Sequence, residues 1–354
     1  MMKAWVLEDI GKFNRKEIEK PEASDGQVIV KVRAAGICGS DIQRVYENGA
    51  HRMPLVIGHE FSGQVEAVGK NVSDGWIGKK VGIFPLIPCK GCSACRIKKY
   101  EMCEQYSYLG SRTDGGFAEY VSVPEWNLME LPEAVTYEQA AMLEPMAVAV
   151  HAMRRLTIHQ EATVAVCGLG TIGQLLVMFL LERGIRNIYA IGKSDAQRAS
   201  MLAIGLPEQN FCDSRSMDVK DFMDQRTEYR GVDVYFDCVG KNETAALGLE
   251  LAAAGGQVCM VGNPYSDMSF DKNTYWKLLR KQLKVTGTWN SSYLGETDEE
   301  AAMDDWHYVV DRLKEGRIKP EKLVTHKFSI EELDKGFEIM RDKKEPYVKI
   351  MMEQ

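Results

Sequence analysis

Four cysteines lie close together in the chain with the spacing C-x2-C-x2-C-x7-C, at Cys89, Cys92, Cys95 and Cys103. Four thiolates at such short separations can close a tetrahedral shell around Zn²⁺, which makes a structural site with no open position. A zinc ribbon that binds nucleic acid is the competing use of this pattern. Because the chain is acidic and lacks a basic, aromatic-laced face, the pattern predicts a structural zinc site.

A second group of metal-type residues lies upstream, where Cys38 is followed at a distance by the adjacent pair His59 and Glu60. Each alone could be an ordinary buried residue, but together, with glycines on both sides, they are more specific. A shell of sulfur, imidazole and carboxylate can leave one position for water or substrate, as a catalytic zinc requires. Glu144 is a further ligand candidate, because a glutamate in the apolar helical segment Ala140–Ala149 is costly unless paired or metal-bound.

A glycine-rich turn matching G-x-G-x-x-G joins a strand-like run to a helix-like run, and it consists of Gly168, Leu169, Gly170, Thr171, Ile172 and Gly173. In this context the first glycine permits a sharp turn and the second lets the backbone approach a pyrophosphate. The third lets helix and strand pack closely, and N–H groups at the helix start bind the anion. The pattern therefore predicts a dinucleotide site, with a glycine-rich turn that binds nothing as the alternative.

The end of the second strand bears on the choice between NAD and NADP. Sites for NAD usually carry Asp or Glu about 20 residues beyond the glycines, whereas this chain has Gly192, Lys193 and Ser194 there. Gly192 leaves room, Lys193 supplies a positive charge and Ser194 supplies a hydroxyl. These features suit a 2′-phosphate, and Arg198 lies one turn further on. The pattern favours NADP over NAD; in the alternative, Lys193 is a solvated charge and Asp195 takes the ribose.

Bulk properties exclude several classes of protein. The chain has 354 residues and a formal net charge of -7, which disfavours nucleic acid as a partner. Its nine cysteines and the lack of an apolar leader in the first residues fit a reducing cytoplasm. The uncharged run 162–181 is long enough for a bilayer, but it splits into a strand, a glycine turn and a helix, so no membrane span is predicted.

Secondary-structure patterns predict an α/β chain in two parts. Short Val-, Ile- and Gly-rich strands, such as 28–32 and 63–69, predict a barrel-like β unit over about the first 130 residues, and 137–155 is expected to be helical. Strands then alternate with helices, which implies a parallel sheet covered on both faces. The strands are expected at 164–167, 187–191, 232–237, 257–261 and 283–286, with helices starting near Ile172, Ala196 and Glu243 and a further helix at 304–315.

These motifs, in this order, resemble the zinc-dependent medium-chain alcohol and polyol dehydrogenases over essentially the whole chain. The segments 48–51, 58–63, 85–89 and 110–120 resemble members that act on a galactitol-1-phosphate-like polyol phosphate. The resemblance implies a GroES-like β-barrel catalytic domain, residues 1–148 and 287–354 with a zinc lobe at 85–103, and a Rossmann domain, residues 149–286. It also implies a homodimer or homotetramer. The chain departs from these members at Gly192, where an acidic residue is expected for NAD.

The resemblance implies oxidation of a secondary alcohol, or reduction of the matching ketone, by hydride transfer with NAD(P) and two zinc ions per chain. Cys38 and His59 would hold the catalytic metal, Glu60 and Glu144 would share the remaining ligand role, and Ser40 would take the alcohol proton. His51 could pass this proton onward. Sorbitol-, butanediol- and threonine-type dehydrogenases are alternatives, and a zinc-free reductase or a binding protein on the same fold is a more distant one.

Several residues are candidates for contact with the substrate. Trp289 and Asn290 follow the last strand of the sheet, and Tyr46 could bond substrate hydroxyls, although packing is an equal alternative for Trp289. A phosphate on the substrate needs cationic donors, and the alternative for each candidate, which the sequence favours individually, is a solvated surface arginine. These candidates are Arg44, Arg52 and Arg112.

Overall fold

The computed structural model describes all 354 residues, which divide into two compact units. The first unit comprises Met1–Ala147 and Ser291–Gln354, and the second comprises Val148–Asn290.

The first unit is rich in strands. Up to the boundary, its elements are β1 (Met2–Asp9), β2 (Lys12–Ile18), β3 (Gln27–Ile37), α1 (Gly39–Gln43), β4 (Leu55–Val56), β5 (Glu60–Val68), β6 (Lys80–Ile83), β7 (Leu86–Ile87), α2 (Ser93–Arg96), β8 (Ser107–Tyr108), β9 (Tyr120–Pro124), β10 (Leu128–Glu130), α3 (Tyr137–Ala141) and α4 (Leu143–Arg154), which contains the boundary.

The second unit alternates strands and helices, as β11 (Val164–Cys167), α5 (Thr171–Glu182), β12 (Ile188–Gly192), α6 (Asp195–Ala203), β13 (Phe211–Asp213), α7 (Val219–Arg226), β14 (Val232–Asp237), α8 (Asn242–Leu251), β15 (Ala252–Met260), α9 (Lys272–Arg280) and β16 (Lys284–Gly287). The first unit then resumes with α10 (Asp305–Lys314), β17 (Val324–Phe328), α11 (Leu333–Asp342) and β18 (Lys349–Glu353). Single 3-10 turns lie at Asp74–Trp76, Tyr100–Met102, Glu125–Asn127, Glu208–Asn210, Ala301–Met303, Pro320–Leu323 and Ile330–Glu332, and a π-helical turn at Arg44–Asn48.

A seven-stranded sheet with the order β10-β6-β5-β3-β18-β17 organises the first unit, with β9 also paired to β3. Strand β3 lies in the middle of this sheet, and its alternate residues Val28, Val30 and Val32 are buried in the hydrophobic core of the unit. It pairs antiparallel both with β5 and with β18, so a segment from the end of the unit lies beside a segment from its beginning. Two smaller sheets, β2-β1-β4 and β7-β8, complete the unit.

The second unit contains a six-stranded parallel sheet with the order β13-β12-β11-β14-β15-β16. Strand β11 is fully buried, as expected for a parallel strand covered on both faces. Between β11 and β14 the strand order reverses direction, and the carboxyl ends of parallel strands at such a point are where this kind of sheet binds ligands.

The structure confirms the predicted α/β alternation and adjusts its details. Strand β13 was not predicted from the sequence, because three residues are too few to show a period. The predicted continuous helix across Ala140–Ala149 is wrong, since α3 ends at Ala141 and α4 begins at Leu143. Glu144 therefore lies in the first turn of a separate helix rather than in the middle of one.

The uncharged run 162–181 forms a strand, a turn and a helix, as predicted, through β11 and α5. None of the helices in the structure combines the length and apolar character that a membrane crossing requires.

A polar cluster anchors the start of α10 in the first unit. Asp304 caps the helix by accepting a hydrogen bond from the backbone N–H of His307 at 2.8 Å, and its second oxygen lies 2.9 Å from His307 Nδ1. Glu296 lies 3.8 Å from His307 Nε2, and the imidazole stacks on the buried ring of Tyr293. Burial lowers the pKa of His307, but hydrogen bonds to Asp304 and Glu296 outweigh it and raise the pKa to about 9.

This cluster predicts a pH-dependent contribution to stability. Because the pKa of His307 is higher in the folded protein than the ordinary value of 6.5, its charge stabilises the fold below about pH 6.5, and this contribution is lost as the pH rises toward 9. At about 1.4 kcal/mol per pKa unit, reduced by solvent screening, we expect on the order of 2 kcal/mol. Denaturant unfolding of the wild type and His307→Gln should show a stability gap that narrows by this amount between pH 6 and pH 9.5. A constant gap would contradict the prediction.

Candidate functional site

Antiparallel pairing of β3 with β5 brings the upstream metal-type residues together. The register places Gly36 opposite Glu60, so Cys38, just after β3, lies beside His59, just before β5. One potential ligand atom each from Cys38, His59 and Glu60 lies within 4.8 Å of the other two. His59 and Glu60 are buried and Cys38 is partly buried. The structure thus collects a thiol, an imidazole and a carboxylate that the sequence separates by about 20 residues.

The surroundings of His59 suit a metal cation. Asp41, which is fully buried, has one carboxylate oxygen 3.4 Å from His59 Nδ1, an arrangement that leaves Nε2 for a metal. Burial lowers the pKa of His59, but the negative charges of Asp41 and Cys38 outweigh it and raise the pKa well above its ordinary value. The pocket therefore favours positive charge, as a divalent cation would supply. Arg44 and the backbone N–H of Cys38 hold Asp41, at 2.6 Å and 3.1 Å.

Glu60 forms a buried ion pair with Lys349, which enters from β18. Both side chains are almost completely inaccessible to solvent, and the Lys349 ammonium also donates to the carbonyl of Ile37 at 3.0 Å. A Cβ atom at Gly36 would lie 2.5 Å from Glu60 Oε2 and 2.6 Å from Lys349 Cε, so only glycine leaves room for this pair. One carboxylate oxygen of Glu60 is thus fixed by an ammonium while the other is available to a metal.

Glu144 lies next to this group but is not one of the three residues that converge. Its Oε1 accepts a hydrogen bond from the Tyr108 hydroxyl at 3.2 Å, and the Tyr108 ring meets His59 edge-on with centroids 5.9 Å apart. Burial raises the pKa of Glu144 to about 7, with Glu60 as a further cause. The ligand role of Glu144, direct or through water, stays a prediction.

The four-cysteine lobe has the geometry of a closed metal shell. Its four sulfur atoms lie within 4.8 Å of one another, and two pairs, Cys89 with Cys95 and Cys92 with Cys103, are 3.9 Å apart. A tetrahedron with Zn–S bonds of about 2.3 Å has S–S edges of about 3.8 Å, so the sulfur positions fit zinc and not disulfides. All four thiols are free of disulfides.

Backbone N–H groups turn toward this lobe and favour thiolates. Gly91 and Cys92 donate to Cys89 Sγ at 3.5 Å and 3.4 Å and lower its pKa. Backbone hydrogen bonds, first that of Cys95, lower the pKa of Cys92 to about 6. Burial raises the pKa of Cys95 to about 12, so this thiol needs a bound cation to ionise at neutral pH.

The remaining predicted residues of the first unit are dispersed around the metal group. Ser40 lies in α1, two residues after Cys38, and is partly buried, whereas His51 is exposed. Tyr46 packs against the core, and the guanidinium of Arg341 lies 5.0 Å from its ring centroid, which gives it a structural contact. The catalytic and substrate roles of Ser40, His51 and Tyr46 stay predictions.

In the second unit the glycine turn joins β11 to α5, and Gly170 is the N-cap of the helix. Gly168 has φ +92, a conformation that favours glycine, and a Cβ at Gly173 would clash with the carbonyl of Gly168. No atom comes within 4 Å of a Cβ built at Gly170, so the backbone there is open to a close approach. These properties fit a pyrophosphate at the start of α5.

Gln197 connects the glycine turn with the end of β12. Its amide nitrogen donates to the carbonyl of Leu169 at 3.0 Å, and its oxygen accepts from the backbone N–H of Lys193 at 2.8 Å. Ser194 caps α6, in which Arg198 is ion-paired with Glu208. Further along the unit, Trp289 is 57% exposed, and Asn290 has φ 55; their role in substrate binding stays a prediction.

Three residues that contact the predicted metal ligands were not predicted from the sequence. Asp41 had a usable signal, because it stands three residues after Cys38 at the start of a helix, where its carboxylate can turn back to the same group. Tyr108 and Lys349 had no such signal in the sequence, since each contacts the metal ligands from a distant segment of the chain. A lysine in a β-strand gives no indication in the sequence that its ammonium is buried.

Replacing Cys95 should destabilise the protein through loss of structural zinc. We expect Cys95→Ser to lower Tm by roughly 5 °C or more, because binding energy of such a metal is folding energy. Ser93→Ala in the same lobe is the control and should melt like the wild type. Identical melting of all three proteins would refute the structural zinc assignment.

Replacing Lys349 should weaken metal binding at the predicted site formed by Cys38, His59 and Glu60. In Lys349→Met the fixed oxygen of Glu60 loses its partner, and we expect zinc affinity to fall by about 10- to 100-fold, as for other residues that orient metal ligands. Competition with a chromophoric chelator measures this change. Lys327→Met, on the neighbouring strand β17, removes an exposed lysine and should leave the affinity unchanged; equal affinities in both variants would refute the prediction.

Comparisons with known proteins agree with this geometry. The family model "Alcohol dehydrogenase GroES-like domain" matches residues 24–133, and the model "Zinc-binding dehydrogenase" matches residues 171–308. Galactitol 1-phosphate 5-dehydrogenase of Escherichia coli K12 is 33% identical over 93% of this chain and 94% of its own length.

Solved structures give the same result. The crystal structure of galactitol-1-phosphate dehydrogenase from Escherichia coli superposes with a TM-score of 0.90 at 31% identity and covers 100% of both chains. An alcohol dehydrogenase of Escherichia coli CFT073 complexed with NADH (TM-score 0.89) and a zinc-binding dehydrogenase of Sinorhizobium meliloti 1021 bound to NADP (0.88) are each 26% identical and cover 100% of this chain and 99% of theirs. The chain belongs to the zinc-binding, NAD(P)-dependent alcohol and polyol dehydrogenases, with a GroES-like and a Rossmann domain.

Proposed function

We propose that this enzyme interconverts a secondary alcohol of a polyol phosphate, similar to galactitol 1-phosphate, and the corresponding ketone. The observation that carries the proposal is the convergence of Cys38, His59 and Glu60 within 4.8 Å, next to Glu144. A mixed shell of this kind has one position open to substrate. The relative that acts on galactitol 1-phosphate, by its name, supports the substrate class.

In this proposal each residue of the metal group has a distinct role in binding the metal or moving the proton. When bound, zinc would supply Lewis acidity toward the substrate hydroxyl, and the nicotinamide cofactor would supply the hydride chemistry. Cys38, His59 and Glu60 hold the metal, with Glu144 as a further ligand or the partner of a bound water. Ser40 takes the alcohol proton and His51 passes it to solvent, which its exposed position permits. Tyr108 keeps Glu144 oriented by its hydrogen bond.

Two zinc ions per chain are part of the proposal, one at this group and one in the cysteine lobe. Retention of both ligand sets argues against a zinc-free reductase on the same fold. Sorbitol-, butanediol- and threonine-type activities are the alternatives within the family.

NADP is the proposed cofactor. A Cβ at Gly192 would lie 2.9 Å from Leu169 and 3.0 Å from both Gln197 and Phe211, so an acidic residue at this position would have to displace the ends of these side chains. Lys193 is exposed and makes no ion pair, so its charge is available to a 2′-phosphate. Arg198, in contrast, is occupied by Glu208.

Self-association, as a homodimer or homotetramer, is proposed to use the open edge of the second unit. Strand β16 pairs on one side only, and its backbone groups are available to a second copy. Next to it, α9 exposes Tyr275, Trp276 and Leu279, each about half accessible to solvent. An edge strand that pairs antiparallel with its own copy makes a symmetric interface, and such a large apolar surface is unusual on a monomer.

A substrate and cofactor panel tests the proposal. Galactitol 1-phosphate, galactitol, sorbitol, 2,3-butanediol and L-threonine are assayed with NAD⁺ and with NADP⁺. We expect kcat/KM to be highest for the polyol phosphate with NADP⁺, by about tenfold over the other substrates and over NAD⁺, because one or two extra charged contacts are worth that much.

The metal requirement is the control for this panel. Cys38→Ala should abolish turnover while its circular dichroism and melting remain close to the wild type. Full activity of that variant would refute the catalytic metal group, and a strong preference for NAD⁺ would refute the cofactor assignment.

A further inference from the structure

Arg112 carries a positive charge that nothing in the protein neutralises. It lies in the turn after β8, is partly buried, and stacks on Tyr106 with the guanidinium carbon 4.7 Å from the ring centroid. Its side chain makes no ion pair, and its Nε is buried without a hydrogen-bond partner. Desolvation of a guanidinium donor without an acceptor is costly, so an anion absent from the protein itself is the expected partner.

Arg112 lies near two other arginines, Arg44 and Arg52, and the nearby carboxylates are already paired with these two side chains. Arg44 and Arg112 both lower the pKa of His51, in addition to a larger effect of burial, so the three side chains share one region. Asp41 is held by Arg44 and contacts His59, and Asp114 accepts from Arg52 and from the backbone of Val56. The region therefore keeps a positive potential although the whole chain has a net charge of -7.

This region adjoins the metal group through two aromatic rings. Tyr106 and Tyr108 meet edge-on with centroids 6.2 Å apart, and Tyr108 in turn contacts His59 and bonds Glu144. Arg112 is thus separated by two aromatic rings, those of Tyr106 and Tyr108, from the side chains that would act on the substrate hydroxyl. A group bound by Arg112 would be separated from the reacting carbon by several bonds, as the phosphate of a polyol phosphate is.

We propose that Arg112 is the anchor of a subsite for the phosphate monoester of the substrate, because it is the arginine of this region that no carboxylate neutralises. The proposal rests on the proposed function and assigns the residue that selects phosphorylated polyols. A phosphate monoester carries a negative charge of about −1.5 to −2 at neutral pH. A guanidinium can donate two parallel hydrogen bonds to its oxygens. A carboxylate substrate such as L-threonine brings only one charge and fits this cluster less well.

Steady-state kinetics of Arg112→Gln, Arg112→Lys and Arg15→Gln test the subsite, with galactitol 1-phosphate and galactitol as substrates. For galactitol 1-phosphate we expect Arg112→Gln to raise KM by about 10- to 100-fold, the effect of losing a charge-assisted pair, with kcat nearly unchanged. For galactitol, KM should be unchanged. Arg112→Lys should recover part of the loss, and the control Arg15→Gln, which removes an exposed arginine outside the proposed subsite, should change KM by less than about threefold.

Inorganic phosphate provides a second measurement. It should inhibit the wild type competitively against galactitol 1-phosphate and lose at least tenfold in affinity in Arg112→Gln, with melting temperatures that show both proteins to be folded. Equal losses in Arg112→Gln and Arg15→Gln, or equal effects on galactitol and its phosphate, would overturn the subsite. If the wild type oxidised no polyol at all, the proposed function would fail instead.

Discussion

The buried pairing of Glu60 with Lys349 is the constraint on which the metal region depends. Two charged side chains withdrawn from water are tolerated only because they satisfy each other and because Lys349 also reaches the carbonyl of Ile37. The pair exists because β3 runs between β5 and β18, with Gly36 leaving the space for both side chains. A one-residue shift in either pairing would turn Glu60 or Lys349 to the opposite face of the sheet.

Charge balance explains why this arrangement suits a divalent metal. With Cys38 and Glu144 ionised and His59 neutral, as a bound metal would require, the region holds four negative groups, which also include Asp41 and Glu60, against the cations of Arg44 and Lys349. The excess of negative charge equals that of one divalent cation. The raised pKa of Glu144 follows from its burial together with this excess. Stability and chemistry thus come from the same set of charges.

The features that could be predicted from the sequence are those that a short segment of the chain determines. The cysteine lobe and the glycine turn are each contained within about 15 residues, so spacing alone indicated their chemistry, and the alternation of strands and helices indicated the parallel sheet. The contacts of Lys349 depend on how distant segments pair, which no period in the sequence reveals. Glu144 could be predicted only in part. Its apolar neighbours in the sequence indicated an unusual carboxylate, but only the structure reveals the break between α3 and α4 and the hydrogen bond from the Tyr108 hydroxyl.

The position of Lys349 in the chain has a consequence for biosynthesis. Glu60 and its partner are 289 residues apart, and all of Val148–Asn290 is translated between them. The second unit is contiguous, so it can fold on the ribosome as soon as it emerges. The first unit cannot complete its central sheet until β18 is made. A nascent chain therefore carries an unfinished metal pocket for most of its synthesis, and zinc loading is expected to be one of the last steps of maturation.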